Sequence, residues 1–218
     1  MRSNQVAFNI LHVKKAAEDY EENWKYEDEV LFQLPIKYPG HRILSHINVK
    51  INIIGKSYDS GIARLIPSDG DPGSSFRKLA KHFQEKGPDI DTLLDQLKGI
   101  KEPLNKENLA KIVEIHGSLS NIIKKITNQG KSPHSFVSKY MHFHCPAVPI
   151  YDSLTAQNVT HLVRWNNGLK VFDMPKEADE EYGRYVMRFF NLYQQIIDQM
   201  KDATVKMVDY YLMKYPWE

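Results

Sequence analysis

The sequence of 218 residues contains a single cysteine, Cys145. One cysteine excludes an internal disulfide framework and is typical of a reducing compartment. No apolar run approaches the roughly 20 residues that a membrane-spanning helix needs, and the N-terminal segment has no apolar stretch sufficient for a signal peptide. The sequence therefore predicts an intracellular, cytoplasmic protein with no membrane partner.

A strong charge bias is also absent, because 29 Lys and Arg residues against 27 Asp and Glu residues leave a formal net charge of +2. This balance permits a local basic patch but does not require one. No pair of cysteines or histidines has zinc-like spacing, and His142 and His144 would point roughly 200° apart on a helix. The sequence therefore predicts no metal and no cofactor.

Helical periodicity dominates what the sequence does contain. Apolar residues at spacings of three and four predict one long helix over residues 47–65, another that begins at Asn105, and a last long helix over residues 179–200. The sum is an all-α fold of about eight helices. Residues 1–35 are predicted to be an N-terminal helical extension and residues 36–218 a single α-helical domain. Residues 164–175 are predicted to be a loop or a small hairpin around an Asn-Gly turn.

The segment from Ser132 to Asn158, SPHSFVSKYMHFHCPAVPIYDSLTAQN, concentrates titratable groups around a break between two helices. Helical projection places Lys139 on the polar side of the first helix. Two prolines, Pro146 and Pro149, forbid its continuation, so it is predicted to end near His144 or Cys145. Asp152 then occupies the N-cap position of the next helix. The spacing predicts that the side chains of Lys139 and Asp152 converge.

A helix with lysine, a loop, and then a proline, a hydrophobic residue and an aspartate that opens the next helix resembles the core of the helix-hairpin-helix DNA glycosylases, particularly the 8-oxoguanine DNA glycosylase branch. The matching stretches are "SFVSKYMHF", "VPIYDS" and, more weakly, "SGIARL" from Ser60 to Leu65. The resemblance implies two helical lobes around a cleft, double-stranded DNA as the partner, and a nucleoid or nuclear location. It also implies that Lys139 attacks the sugar C1′ atom while Asp152 supports the reaction.

Further residues are candidates for substrate contacts under this resemblance. Ser135 and His142 lie on the same side of the helix as Lys139, and aromatic rings are suited to stacking on an extruded base. The aromatic candidates are Tyr140, Phe143 and Tyr151, and the basic candidates for phosphate contacts are Arg64, Lys124, Lys125 and Lys131. Each set has a plainer interpretation: aromatic residues at helical spacing are commonly core residues, and lysines near a helix end are commonly solvated.

Three hypotheses for the function follow. The first is a DNA glycosylase and abasic-site lyase that acts through Lys139 and Asp152. The second is a catalytically silent nucleic-acid-binding module of the same fold, which is favoured because "NQGKSPHSF" stands where the family has a glycine-rich hairpin. The third is an unrelated helical enzyme that uses Ser135, Lys139, His142 and Asp152 on a small molecule, which a pocket too narrow for a nucleotide would favour.

Overall fold

The structure is a computed structural model that describes residues 8–71, 73–164 and 169–214. These residues form eleven α-helices and contain no β-strand. The helices are α1 (Ile10–Asn23), α2 (Lys25–Lys37), α3 (Leu44–Ser57), α4 (Ile62–Leu65), α5 (Ser74–Glu85), α6 (Gly87–Asp95), α7 (Lys106–Lys124), α8 (His134–His144), α9 (Ser153–Leu162), α10 (Glu180–Gln199) and α11 (Val205–Lys214). The predicted all-α class is confirmed, but the described residues form eleven helices and not about eight, partly because the chain breaks after Ser57 where one long helix was predicted. The Asn-Gly turn of the predicted loop or hairpin lies outside the described residues.

The helix predicted over residues 47–65 is divided, and this part of the prediction is wrong. Helix α3 ends at Ser57, and the chain turns sharply before α4, with positive φ angles at Asp59 (37°) and Gly61 (68°). The amide of Ser60 returns to the carbonyl of Gly55 at 3.1 Å, and the carbonyl of Tyr58 accepts a hydrogen bond from Lys139. The helical spacing of apolar residues continues through this break in the sequence, but the carbonyl of Tyr58 is hydrogen-bonded to Lys139 and not to a backbone amide of the same helix.

The N-terminal helices pack against the rest of the fold. On α1, the Asp19 carboxylate accepts hydrogen bonds from Tyr210 Oη at 2.7 Å and from Lys214 Nζ at 3.0 Å, both on α11. On α2, Leu31 and Leu34 are buried in the core. Helix α2 runs through Pro35 to Lys37, two residues beyond the predicted end of the extension. This packing makes α2 one wall of the cavity described below.

Helix α8 is central and is buried on both faces, although its sequence predicts one polar face. Lys139 is only 2% exposed, and Ser138 and His142 are fully buried. The reason is that the following loop folds back over the polar side: Ser138 Oγ accepts from the amide of Tyr151 at 2.9 Å, and His142 Nδ1 bonds the carbonyl of Val148 at 2.8 Å. The polar residues of α8 therefore hold the loop that leads to Asp152.

A tight turn joins α7 to α8, at the position where the resemblance to the helix-hairpin-helix DNA glycosylases predicts a hairpin. Asn128–Gly130 form one 3₁₀ turn, in which Gln129 and Gly130 have φ angles of 56° and 64°. Across the parts of the chain that the structure describes, no helix is both long enough and apolar enough to span a bilayer.

Candidate active site

Lys139 and Asp152 meet across the loop between α8 and α9. Lys139 Nζ lies 3.0 Å from Asp152 Oδ2, so the predicted convergence of these side chains is confirmed. Asp152 is the N-cap of α9: its Oδ1 accepts from the amide of Leu154 at 3.0 Å, and its own amide donates to Thr155 Oγ1 at 3.1 Å. This capping box fixes the carboxylate next to the amine and at the positive end of the helix dipole.

The amine of Lys139 has two further partners. It donates to the carbonyl oxygen of Tyr58 at 2.8 Å and to Ser135 Oγ at 2.9 Å. A lysine ammonium has three N–H donors, and here three oxygen atoms match them. The result is a lysine held in one position although its side chain is long and flexible.

A cavity of about 710 Å³ opens beside this pair. Its walls come from the second, third, eighth, ninth and eleventh helices and the loops next to them. Its buried and half-buried polar residues include Asp28, Tyr58, Lys139, Asp152, Lys206 and Asp209, and its exposed polar residues are Glu27, Ser57, Asp59 and Lys214. Ligand pockets in proteins typically measure about 300–1,000 Å³. The cavity is therefore of a size that can take a small organic molecule or one nucleotide.

A second cluster of charges lies in the same wall. Lys206 Nζ donates to Tyr58 Oη at 2.7 Å and lies 3.4 Å from both Asp28 Oδ2 and Asp209 Oδ2. The hydroxyl groups of Tyr20 and Tyr58 both donate to Asp28. Tyr58 therefore links the two clusters, because its carbonyl binds Lys139 and its hydroxyl binds Lys206.

Burial changes the acid–base properties of this second cluster. Burial and the adjacent Asp28 carboxylate raise the pKa of Tyr58 far above its ordinary value, so it stays a neutral donor. Burial also raises the pKa of Asp209 to about 6, although the charges of Lys206 and Lys139 pull it down. The carboxyl group of Asp209 thus has a pKa closer to neutral pH than that of an ordinary aspartate.

The exposed part of the cavity lining contains large apolar side chains together with the polar residues Glu27, Ser57, Asp59 and Lys214. Ten large hydrophobic side chains of the described residues are exposed, and five of them line this cavity, namely Trp24, Val30, Ile53, Leu154 and Met213. Exposed apolar groups that are concentrated around one opening commonly mark a binding site. The cavity thus combines buried charged groups with an exposed rim that contains five large apolar side chains.

The other candidates for substrate contacts lie in different places. Ser135 contacts Lys139 directly, as described above. His142 is in the core between Phe32 and Phe143, where burial lowers its pKa to about 4. Phe143 is buried beside a different cavity. Tyr140 is also buried, with its hydroxyl 2.7 Å from His41 Nε2.

Tyr151 is half-buried and hydrogen-bonded to Glu181, in the wall of a third cavity. Of the five predicted substrate-binding residues, the structure brings only Ser135 to Lys139.

The four basic candidates lie outside the lining of the main cavity. Arg64 is 3.9 Å from Asp59, and Lys124 is 3.8 Å from Asp179. Lys125 and Lys131 are at the end of α7 and in the turn before α8, and both are largely exposed. Their role in binding phosphate stays a prediction.

Sequence reasoning missed Asp28, Tyr58, Lys206 and Asp209. A signal existed for two of them. Asp209 stands in the stripe of α11 that contains the buried Val205, Val208 and Leu212, and Asp28 precedes Leu31 by one turn on the buried side of α2. A charged residue at a buried position of a helix needs a partner, and this rule would have selected both.

Comparisons with known proteins find no family model that matches this chain, and no match among curated proteins or solved structures.

Proposed function

We propose that the chain is a DNA glycosylase and abasic-site lyase in which Lys139 is the nucleophile and Asp152 its supporting carboxylate. The observation that carries the proposal is the 3.0 Å contact between Lys139 Nζ and Asp152 Oδ2 in the wall of a cavity of about 710 Å³. An amine nucleophile needs a fixed position and a polar partner that can stabilise positive charge. Both conditions are met at this point of the fold.

The chemistry follows from the two side chains. Lys139 Nζ, once it has given up a proton, forms a bond to the sugar C1′ atom while the bond from C1′ to the base nitrogen breaks, and the base leaves with its electron pair and takes up a proton. The sugar ring then opens to give a Schiff base between Nζ and C1′. Loss of a C2′ proton from this species expels the 3′ phosphate and cuts the strand. Asp152, whose Oδ1 accepts an amide hydrogen bond at the positive end of the α9 dipole, stabilises the positive charge on the sugar.

The size of the cavity favours a nucleotide over a much smaller substrate. An enzyme that acts on an extruded nucleotide must accept the base and the sugar together. The third hypothesis, a helical enzyme for a small molecule, would be favoured by a pocket too narrow for a nucleotide, and a volume of about 710 Å³ gives it no such support.

Borohydride trapping on duplexes that contain an abasic site or 8-oxoguanine tests the proposal. Wild-type protein is expected to form a covalent adduct, because borohydride reduces the Schiff base. Lys139→Met, which keeps a buried unbranched side chain but has no amine, is expected to form none. Lys201→Ala removes an exposed lysine that lies outside the cavity lining, and this control is expected to trap like wild type. Circular dichroism must show that the Lys139→Met variant is folded.

The silent nucleic-acid-binding module is a second candidate, and one observation favours it. The three N–H groups of the Lys139 ammonium are matched by Tyr58 O, Ser135 Oγ and Asp152 Oδ2, an arrangement that also suits a protonated lysine whose role is to hold the Tyr58–Gly61 turn. Wild-type protein that binds the abasic duplex but gives no adduct would select this candidate. Absence of both binding and adduct would reject both.

A further inference from the structure

Asp209 has a carboxylate oxygen that the rest of the chain leaves without a partner. The residue is fully buried on α11, and its Oδ2 lies 3.4 Å from Lys206 Nζ. Among the described residues, no donor contacts its Oδ1. A buried charged acceptor without a hydrogen bond is costly, so this oxygen is not explained by the packing of the fold.

The charges around Asp209 do not balance. The cavity is lined by five carboxylates and three ammonium groups, namely Glu27, Asp28, Asp59, Asp152 and Asp209 with Lys139, Lys206 and Lys214. When all eight are ionised, two negative charges remain. Both carboxylate oxygens of Asp28 and of Asp152 have donors, whereas Asp209 has a buried oxygen without one. A donor that carries positive or partial positive charge would complement this position.

The other side chains that line the cavity restrict the chemistry of the rest of the ligand. The side chains of Trp24, Ile53, Leu154 and Met213 line the entrance, and they are partly exposed. Such a surface favours a flat or apolar body rather than a fully hydrated ion. The buried polar groups of the lining, among them Asp209, lie further from solvent.

We infer that Asp209 Oδ1 accepts a hydrogen bond from an N–H group of the ligand that fills the cavity, and that this contact selects ligands that carry an amino group on an apolar or aromatic body. The inference rests on the proposed function in that the amino group would then belong to the base of the nucleotide. A free organic amine presents the same chemistry to the same oxygen, and the experiment separates these two sources.

The test uses pairs of probes that differ by one amino group. The pairs are adenosine and purine riboside, guanosine and inosine, and, for a free amine, benzylamine and benzyl alcohol. Binding to the full chain is measured by calorimetry near neutral pH for wild type, Asp209→Asn and the exposed control Asp198→Asn. A hydrogen bond to a charged group is stronger than one between neutral groups, so wild type is expected to prefer the amino member of at least one pair by about 10-fold or more.

The preference must depend on Asp209. Asp209→Asn is expected to reduce it to less than about 3-fold, while Asp198→Asn retains the wild-type ratio. A preference within a nucleoside pair assigns the amino group to a base, and a preference within the benzyl pair alone assigns it to a free amine. Equal binding within all pairs, an unchanged ratio in Asp209→Asn, or no binding of any probe overturns the inference.

The two proposals fail separately. If wild type forms no borohydride adduct but its preference among nucleosides depends on Asp209, the glycosylase chemistry alone is rejected. Trapping that depends on Lys139 without an Asp209-dependent preference rejects the role of Asp209 alone.

Discussion

The contribution of Asp209 to the free energy of unfolding depends on pH, because ionisation of this buried carboxyl group destabilises the folded protein. Its folded pKa of about 6 lies above the ordinary value of 3.8, so the folded state holds the proton more tightly than the unfolded state. The corresponding stabilisation is fully present below about pH 3.8 and is lost as the pH rises through about 6. Above that pH the buried carboxylate destabilises the fold, by up to about 3 kcal/mol for a shift of about 2 units.

Asp209→Asn should therefore become more stable relative to wild type as the pH rises from about 5 to 8. Asparagine has nearly the same shape but does not titrate, so the gain is small where Asp209 is protonated and larger where it is ionised. Chemical denaturation at several pH values measures the difference. A difference between the two proteins that does not change with pH would contradict this account, and Asp198→Asn, which removes an exposed carboxylate, provides the comparison.

At the scale of the helix, the packing of α7 against the segment before α10 requires a glycine at position 117. A methyl group on Gly117 would lie 1.8 Å from the carbonyl oxygen of Glu177, in the segment that leads to α10. Backbone cannot move aside as a side chain can, so Gly117→Ala is expected to cost at least about 2 kcal/mol, more than the roughly 1 kcal/mol gained from helix propensity.

A second helical glycine provides the matched comparison. A methyl group on Gly183 of α10 would meet the sulfur of Met174 at 2.4 Å, which is near the end of a flexible side chain. Gly183→Ala is therefore expected to cost less than Gly117→Ala, with thermal denaturation as the measurement. Equal melting temperatures for the two variants would show that the backbone contact at Gly117 can relax.

Helix boundaries that depend on local chemistry were predictable from the sequence, and boundaries that depend on distant partners were not. Pro146 and the capping position of Asp152 predicted the end of α8 and the start of α9, which lie at His144 and Ser153. The break after Ser57 was not predicted, because there the carbonyl of Tyr58 accepts a hydrogen bond from Lys139, 81 positions further along the chain.

The candidate site divides in the same way. Lys139 and Asp152 are close in sequence, and proline and cap signals showed that they meet. Lys206 and Asp28 come from opposite ends of the described chain, and periodicity within one helix contains no information about which helices become neighbours. Volume and accessibility also depend on the complete packing, so the cavity itself could not be predicted.

At the scale of the whole molecule, four histidines whose pKa is lowered by burial make the fold sensitive to acid. Burial lowers the pKa of His41 and His142 to about 4, and that of His116 and His144 to about 3. An unfolded histidine has a pKa near 6.5, so below this pH the unfolded state binds more protons than the folded state. The stability that these neutral histidines contribute is fully present above about pH 6.5 and is lost as the pH falls towards 4 and 3.

We therefore expect the free energy of unfolding to fall steeply between about pH 6.5 and 4, because four groups act together and outnumber the opposite effect of Asp209. His142→Phe, which keeps an aromatic ring between Phe32 and Phe143, should reduce this slope by up to about 1.4 kcal/mol per pH unit. Denaturant titrations across this range measure both slopes. Equal slopes for the two proteins would show that His142 does not bind its proton differently in the two states.

The contact between Tyr58 and Lys206 joins residues 148 positions apart, and this has a consequence for the protein during synthesis. A ribosome adds about 5–20 residues per second, so roughly 7 to 30 seconds separate the appearance of the two side chains. During that interval the carboxylate of Asp28 has no ammonium from α11 beside it, and the cavity lacks the wall that this helix supplies. The cavity of a nascent chain is therefore incomplete until the eleventh helix has been released from the exit tunnel.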